Sequence, residues 1–103
     1  MTNEDIEQFV KSNEVVLFMK GTPQFPQCGF SQRAVAILQA SGVKDFAYRD
    51  VLDDDELRQN IKEFSNWPTI PQLYIRGEFI GGSDIMMEMY QAGELKTLLL
   101  EIK

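Results

Sequence analysis

Val15-Val16-Leu17-Phe18-Met19-Lys20-Gly21-Thr22-Pro23-Gln24-Phe25-Pro26-Gln27-Cys28-Gly29-Phe30-Ser31 decides how this chain is read. Its first five residues are apolar and rich in β-branching, which predicts a buried strand. From Phe30 to Ala40 the apolar residues recur at helical spacing, and Gly42 follows as a stop. The only cysteine of the chain, Cys28, therefore sits where a strand ends, a loop turns and a helix begins.

A thiol at that place faces unpaired backbone N–H groups and the positive end of a helix dipole. Both favour thiolate over thiol. Lys20 closes the strand and can return a full charge to the same spot, so the Cys28 pKa is expected below the ordinary value of about 8.5. Gly29 leaves the backbone beside the sulfur open to a ligand. A lone cysteine is often a buried, inert one. Here its neighbours are Gln27 and Gly29 on a loop with two prolines upstream, rather than an apolar run.

Bulk properties narrow the options. At 103 residues the chain is read as a single domain, 1–103, able to bury one core without staples. A net charge of −6 with no clustered basic face argues against nucleic acid as partner. No apolar run approaches the roughly 20 residues of a membrane span. The acidic start, Met1-Thr2-Asn3-Glu4-Asp5, lacks the basic region of a signal peptide. One cysteine excludes an internal disulfide and favours a reducing compartment, either bacterial cytoplasm or an organelle matrix after loss of a targeting segment. The absence of histidine excludes histidine acid–base chemistry and histidine ligation.

Outward from the opening stretch, Thr2 to Lys11 reads as a helix capped by Thr2 or Asn3, with Ile6, Phe9 and Val10 on one face. Strand one spans Glu14 to Lys20. Helix two runs from Gly29 to Ser41 and is expected to pack Phe30, Ala34, Val35, Ile37 and Leu38 inward. Phe46 to Val51 reads as strand two. Asp53 is expected to cap helix three, whose first-turn acids suit the helix dipole better than they suggest a binding site. That helix continues to about Phe64. Gln72 to Arg76 and Phe79-Ile80 form an antiparallel hairpin through a tight turn at Arg76-Gly77-Glu78. Helix four runs from Ile85 to Gln91, and its Met86, Met87 and Met89 read as core filling rather than a soft-metal site. A last helix spans Glu94 to Ile102. The order β-α-β-α-β-β-α, with an extra helix at each end, predicts a small mixed sheet covered on both faces.

Three further features join the thiol. In Thr69-Ile70-Pro71 the proline opens a strand and removes an N–H from its edge. If the Ile70–Pro71 bond is cis, the Ile70 backbone turns outward and can pair with an extended peptide. From the residues alone, the isomer stays open. Gly81-Gly82-Ser83-Asp84 starts a helix, either as a plain cap or with the N–H groups of Ser83 and Asp84 holding a carboxylate and the Asp84 side chain an ammonium. Arg58 and Lys62 stand one helical turn apart, either as solvated surface or as a cation pair for a carboxylate. Together these outline a slot suited to glutathione, a thiol tripeptide with carboxylates at both ends and an ammonium at one.

Four spaced blocks carry a resemblance that covers essentially the whole chain. They are Lys20-Gly21-Thr22-Pro23, Cys28-Gly29-Phe30-Ser31, Trp67-Pro68-Thr69-Ile70-Pro71-Gln72 and Gly81-Gly82-Ser83-Asp84-Ile85. In order and spacing they resemble the monothiol glutaredoxins of the Cys-Gly-Phe-Ser type. The resemblance implies a thioredoxin-like α/β fold, with a four-stranded mixed sheet, helices on both faces and Pro71 in cis. It implies a glutathione site made by Lys20, Arg58, Ile70, Ser83 and Asp84, with Lys62 assisting. Ser31 stands where dithiol relatives have their second cysteine. Many members have cysteine where Ser83 stands, so this chain lacks that candidate resolving thiol.

Two functions follow from the resemblance. The first is a carrier in iron–sulfur cluster assembly. A [2Fe–2S] cluster needs four ligands. Cys28 from each of two chains supplies two, and two glutathiones complete the set in a cluster-bridged homodimer. Acceptor apoproteins and a BolA-like protein are the implied partners. The second is a glutathione-dependent thiol–disulfide oxidoreductase in which Cys28 attacks and a second glutathione resolves. The Thr22–Gln27 loop resembles that of monothiol members with poor reductase activity, which favours the carrier.

Overall fold

The computed structural model describes residues 1–100. Its elements run α1 (Asn3–Ser12), β1 (Val15–Met19), α2 (Gly29–Ala40), β2 (Ala47–Asp50), α3 (Asp55–Ser65), β3 (Gln72–Ile75), β4 (Glu78–Gly81), α4 (Ser83–Gln91) and α5 (Glu94–Leu100). Every expected element is present. The end of the last predicted helix, Ile102, lies outside the described residues.

The strands form one sheet in the order β2-β1-β3-β4. β1 pairs parallel with β2 through the α2 crossover, and antiparallel with β3. All five β1 residues are buried, because the strand is central and both of its faces are covered. Val15, Leu17 and Met19 point to the side of α2, α4 and α5, with Leu73, Ile75, Ala34, Leu38, Met86 and Leu95. Val16 and Phe18 point to the side of α1 and α3, with Ile6, Val10, Leu57, Ile61 and Tyr74. Met87 and Met89 pack at the margin of the first core, as core filling requires. The β3–β4 turn is Arg76-Gly77, both with positive φ (51° and 81°), the backbone that a two-residue hairpin needs.

Two local expectations are corrected. Asp54, not Asp53, caps α3: its Oδ1 accepts the Leu57 N–H at 3.0 Å, and its Oδ2 accepts the Met1 ammonium at 2.6 Å. Asp53 instead donates its N–H to the Asp50 carbonyl in the preceding turn. Phe30 is not packed inward but is 54% exposed. Phe30 follows Cys28 in the first turn of α2 and lines the groove described below, while Ser31 and Ala34 take the buried side of the helix.

Candidate functional site

Cys28 is the N-cap of α2, with extended backbone (φ −151°, ψ 139°). Its sulfur makes no capping hydrogen bond of full geometry. The Ser31 and Phe30 amides nonetheless point at it as oriented dipoles. The Ser31 N–H is the largest influence holding the thiol below its ordinary pKa. Burial opposes it, the Phe30 N–H adds to it, and the Lys20 charge contributes least. Gly29 has no packing reason inside the chain, since a Cβ there would touch nothing within 4 Å. The backbone beside the sulfur is open.

The loop that delivers Cys28 is pinned at several points. Gln27 donates its N–H to the Lys20 carbonyl at 2.9 Å, and Gly21 donates to Asp50 Oδ1 at 2.9 Å. Lys20 donates its own N–H to Ser31 Oγ at 3.1 Å, and Ser31 is fully buried. Residue 31 thus touches both charges of the site: its amide faces the sulfur and its hydroxyl holds the lysine backbone.

Lys20, Cys28, Arg58, Lys62, Ile70, Ser83 and Asp84 all line one groove of about 470 Å³. The residues singled out in the sequence from five separate segments are therefore brought together. The Ile70–Pro71 bond is cis. Arg58 and Lys62 are exposed on one face of α3 and have no acidic partner among the described residues. Ser83 and Asp84 open α4 behind an extended Gly82. A broader hollow at the opposite end of the sheet, lined by Ser12 to Val15, Ser41 to Ala47, Leu99 and Leu100, contains no cysteine.

Sequence reasoning missed several lining residues. Trp67 is one. Its ring packs against Phe79 at 5.7 Å between centroids, and its Nε1 is buried without a partner, as is Ser83 Oγ. Both atoms lie buried beneath the groove wall, where the Trp67 ring packs close to Gly82. The signal was a tryptophan, amphipathic by nature, in a proline-bracketed loop. Arg33 was also missed: its Nη1 lies 3.6 Å from Asp84 Oδ1, and its guanidinium sits 5.7 Å from the centre of the Phe30 ring. Nothing in the sequence spacing links α2 to the start of α4. Among the described residues no group of three or more acidic or thiol side chains forms a metal cage. The sequence offers a single thiol ligand, Cys28.

The lowered pKa gives a testable pH dependence. Folded Cys28 ionises more readily than the unfolded thiol. Its ionisation therefore adds stability above the unfolded pKa of about 8.5, and that increment is lost as pH falls through the folded value. Alkylation by iodoacetamide is expected to run faster at neutral pH than for a short unfolded peptide containing cysteine. Lys20→Gln is expected to move the midpoint up only slightly, because Lys20 contributes least. A midpoint equal to that of the peptide would show that the α2 amides do not act on the sulfur.

The chain matches the glutaredoxin family model over residues 15–80. It is 58% identical over 98 residues to an uncharacterized monothiol glutaredoxin ycf64-like protein of Synechocystis sp., covering 95% of this chain and 91% of that one. Among solved structures, reduced poplar apo GrxS14 superposes with a TM-score of 0.82 at 50% identity, over 95% of this chain and 89% of that one. A buckwheat glutaredoxin–glutathione complex superposes with a TM-score of 0.83 at 25% identity, over 96% and 87%. The sheet order and its two helical layers are accordingly those of a thioredoxin-like fold. With a single ionisable sulfur at the mouth of its groove and relatives of this kind along nearly its whole length, the chain belongs to the monothiol glutaredoxins.

Proposed function

We propose that this chain carries a glutathione-ligated [2Fe–2S] cluster between two copies of itself and hands it to acceptor apoproteins. The observation that carries the reading is the solitary cysteine at one side of a groove with the chemistry of a tripeptide site. Arg58 and Lys62 suit the glycine carboxylate of glutathione. The Ile70 backbone suits its central peptide. The amides of Ser83 and Asp84, with the Asp84 carboxylate, suit the γ-glutamyl end.

The donor count supports the dimer. A cluster with four ligand positions finds one sulfur in each chain, so two chains and two external thiols complete it. External thiols exchange, which suits a cargo that is to be released rather than a resident cofactor. Cys28 is the ligand from the chain. The α2 amides, with a smaller contribution from Lys20, favour its ionised form, and the groove holds the tripeptide whose own sulfur stands beside it.

Anaerobic reconstitution with iron, sulfide and glutathione tests the proposal. A brown dimer that forms only when glutathione is present, and that loads an apo-ferredoxin, is the expected result. A colourless monomer that turns over a glutathione mixed disulfide would overturn it in favour of the thiol–disulfide oxidoreductase.

A further inference from the structure

Gln72 opens β3 at 0% exposure, an unusual place for a primary amide. Its Nε2 donates to the Trp67 carbonyl at 3.1 Å and to the Thr69 carbonyl at 3.2 Å. Its Oε1 accepts the Tyr74 hydroxyl at 3.2 Å. Two carbonyls can be served only by the NH₂ end of the amide, so its orientation follows from its partners. Tyr74 is itself buried, and burial pushes its phenol up to about 12, so it stays a donor at any physiological pH. The side chain thus ties the groove-lining Trp67–Pro71 loop to the core.

The consequence lies one atom further on. The Thr69–Ile70 peptide is planar and trans, since Ile70–Pro71 is the cis bond among the described residues. In a trans peptide the C=O and the N–H point in opposite directions. Drawing the Thr69 oxygen inward to Gln72 turns the Ile70 N–H outward, on the side where Ile70 lines the groove. Neither the N–H nor the C=O of Ile70 has a hydrogen-bond partner among the described residues.

We infer that Gln72 is a positioning residue that sets the direction of the Ile70 amide, and so gives the groove the backbone donor that reads a peptide ligand. This rests on the glutathione reading above. It assigns a ligand-binding consequence to a side chain that never reaches the ligand.

The test measures glutathione binding through the fluorescence of Trp67, the only tryptophan and a groove residue. Gln72→Met keeps the length and loses both donors. It is expected to weaken glutathione about tenfold, the scale of one hydrogen bond set askew. The Cys28 alkylation midpoint, set chiefly by the α2 amides, is expected to stay in place. Amide exchange at Ile70 in the wild-type chain supplies a readout that needs no variant. It is expected to be fast in the free protein and slowed by glutathione. Equal affinity of Gln72→Met and wild type, or an Ile70 amide already protected without ligand, overturns the inference alone. Failure of the wild-type chain to bind glutathione overturns the functional reading as well. If Gln72→Met does not fold, the Ile70 exchange measurement decides.

Discussion

Cys28→Ser will bind neither the proposed cluster nor any glutathione adduct, while melting no lower than the wild type. The two effects separate because the residue does two unrelated jobs. As a ligand and nucleophile it acts through a thiolate, and a serine hydroxyl does not ionise in the accessible range. Nothing else in the described chain stands in: there is no second cysteine, no histidine, and no cluster of acids that would hold a metal. As a structural residue Cys28 is merely the N-cap of α2, in extended backbone and without a full capping bond. Serine is a preferred N-cap whose oxygen accepts from the first-turn amides, an exchange worth up to about 1 kcal/mol in favour of the folded state. Anaerobic reconstitution followed by absorption and iron analysis checks the first half, and a thermal melt checks the second. Iron retained by the variant would refute Cys28 as the ligand.

Gly21→Ala will unfold the active-site loop from the opposite direction, by sterics rather than chemistry. Gly21 has φ +89°, a backbone that L side chains rarely adopt. A Cβ there would lie 2.5 Å from the Phe25 carbonyl oxygen and 2.7 Å from the Gln27 nitrogen. Both are backbone atoms, so no side-chain rotation relieves the clash. The loop around it is closed by reciprocal Thr22–Phe25 bonds at 3.2 and 3.0 Å and by the Gly21–Pro26 bridge. Opening it forfeits several of these together. A loss of roughly 2–4 kcal/mol is expected, or about 10–20 °C in Tm for a chain this small. Cys28 is displaced with the loop, so its alkylation rate at neutral pH should fall too. Gly29→Ala is the control for stability, since a Cβ at that position meets nothing within 4 Å. A Gly21→Ala variant that melts with the wild type would mean the loop relaxes at no cost.

The contrast between these glycines shows where the sequence is legible. The strand–loop–helix reading of Val15 to Ala40 rests on apolar spacing, and spacing survives folding because β1 is covered on both faces. The thiol, Ile70 and the start of α4 were visible because each sits beside the end of an element, where side chains and backbone are left over for ligands, and the cation pair was visible through its one-turn spacing on α3. What was not legible depends on contacts between distant segments. Asp53 and Asp54 are equal as caps on paper. The choice fell to Asp54 because its carboxylate also meets the Met1 ammonium, 53 residues away in sequence. Phe30 fits a helical stripe, but it faces the groove instead of the core. Arg33 beside Asp84, Trp67 against Phe79 and Gln72 beneath the proline loop are pairings that no local pattern encodes. The isomer at Pro71 was left open by the residues and was expected only through the family resemblance.

The sealed seat of Ser31 constrains how such a protein can change its chemistry. Its oxygen anchors the backbone of Lys20 at the very end of the central strand. A sulfur in that seat accepts a hydrogen bond poorly, so a mutation toward two-thiol chemistry first loosens the residue that carries the charge beside the original sulfur. Gaining a second, self-resolving thiol at this position is thus not a one-letter change. It needs accommodation in β1 at the same time.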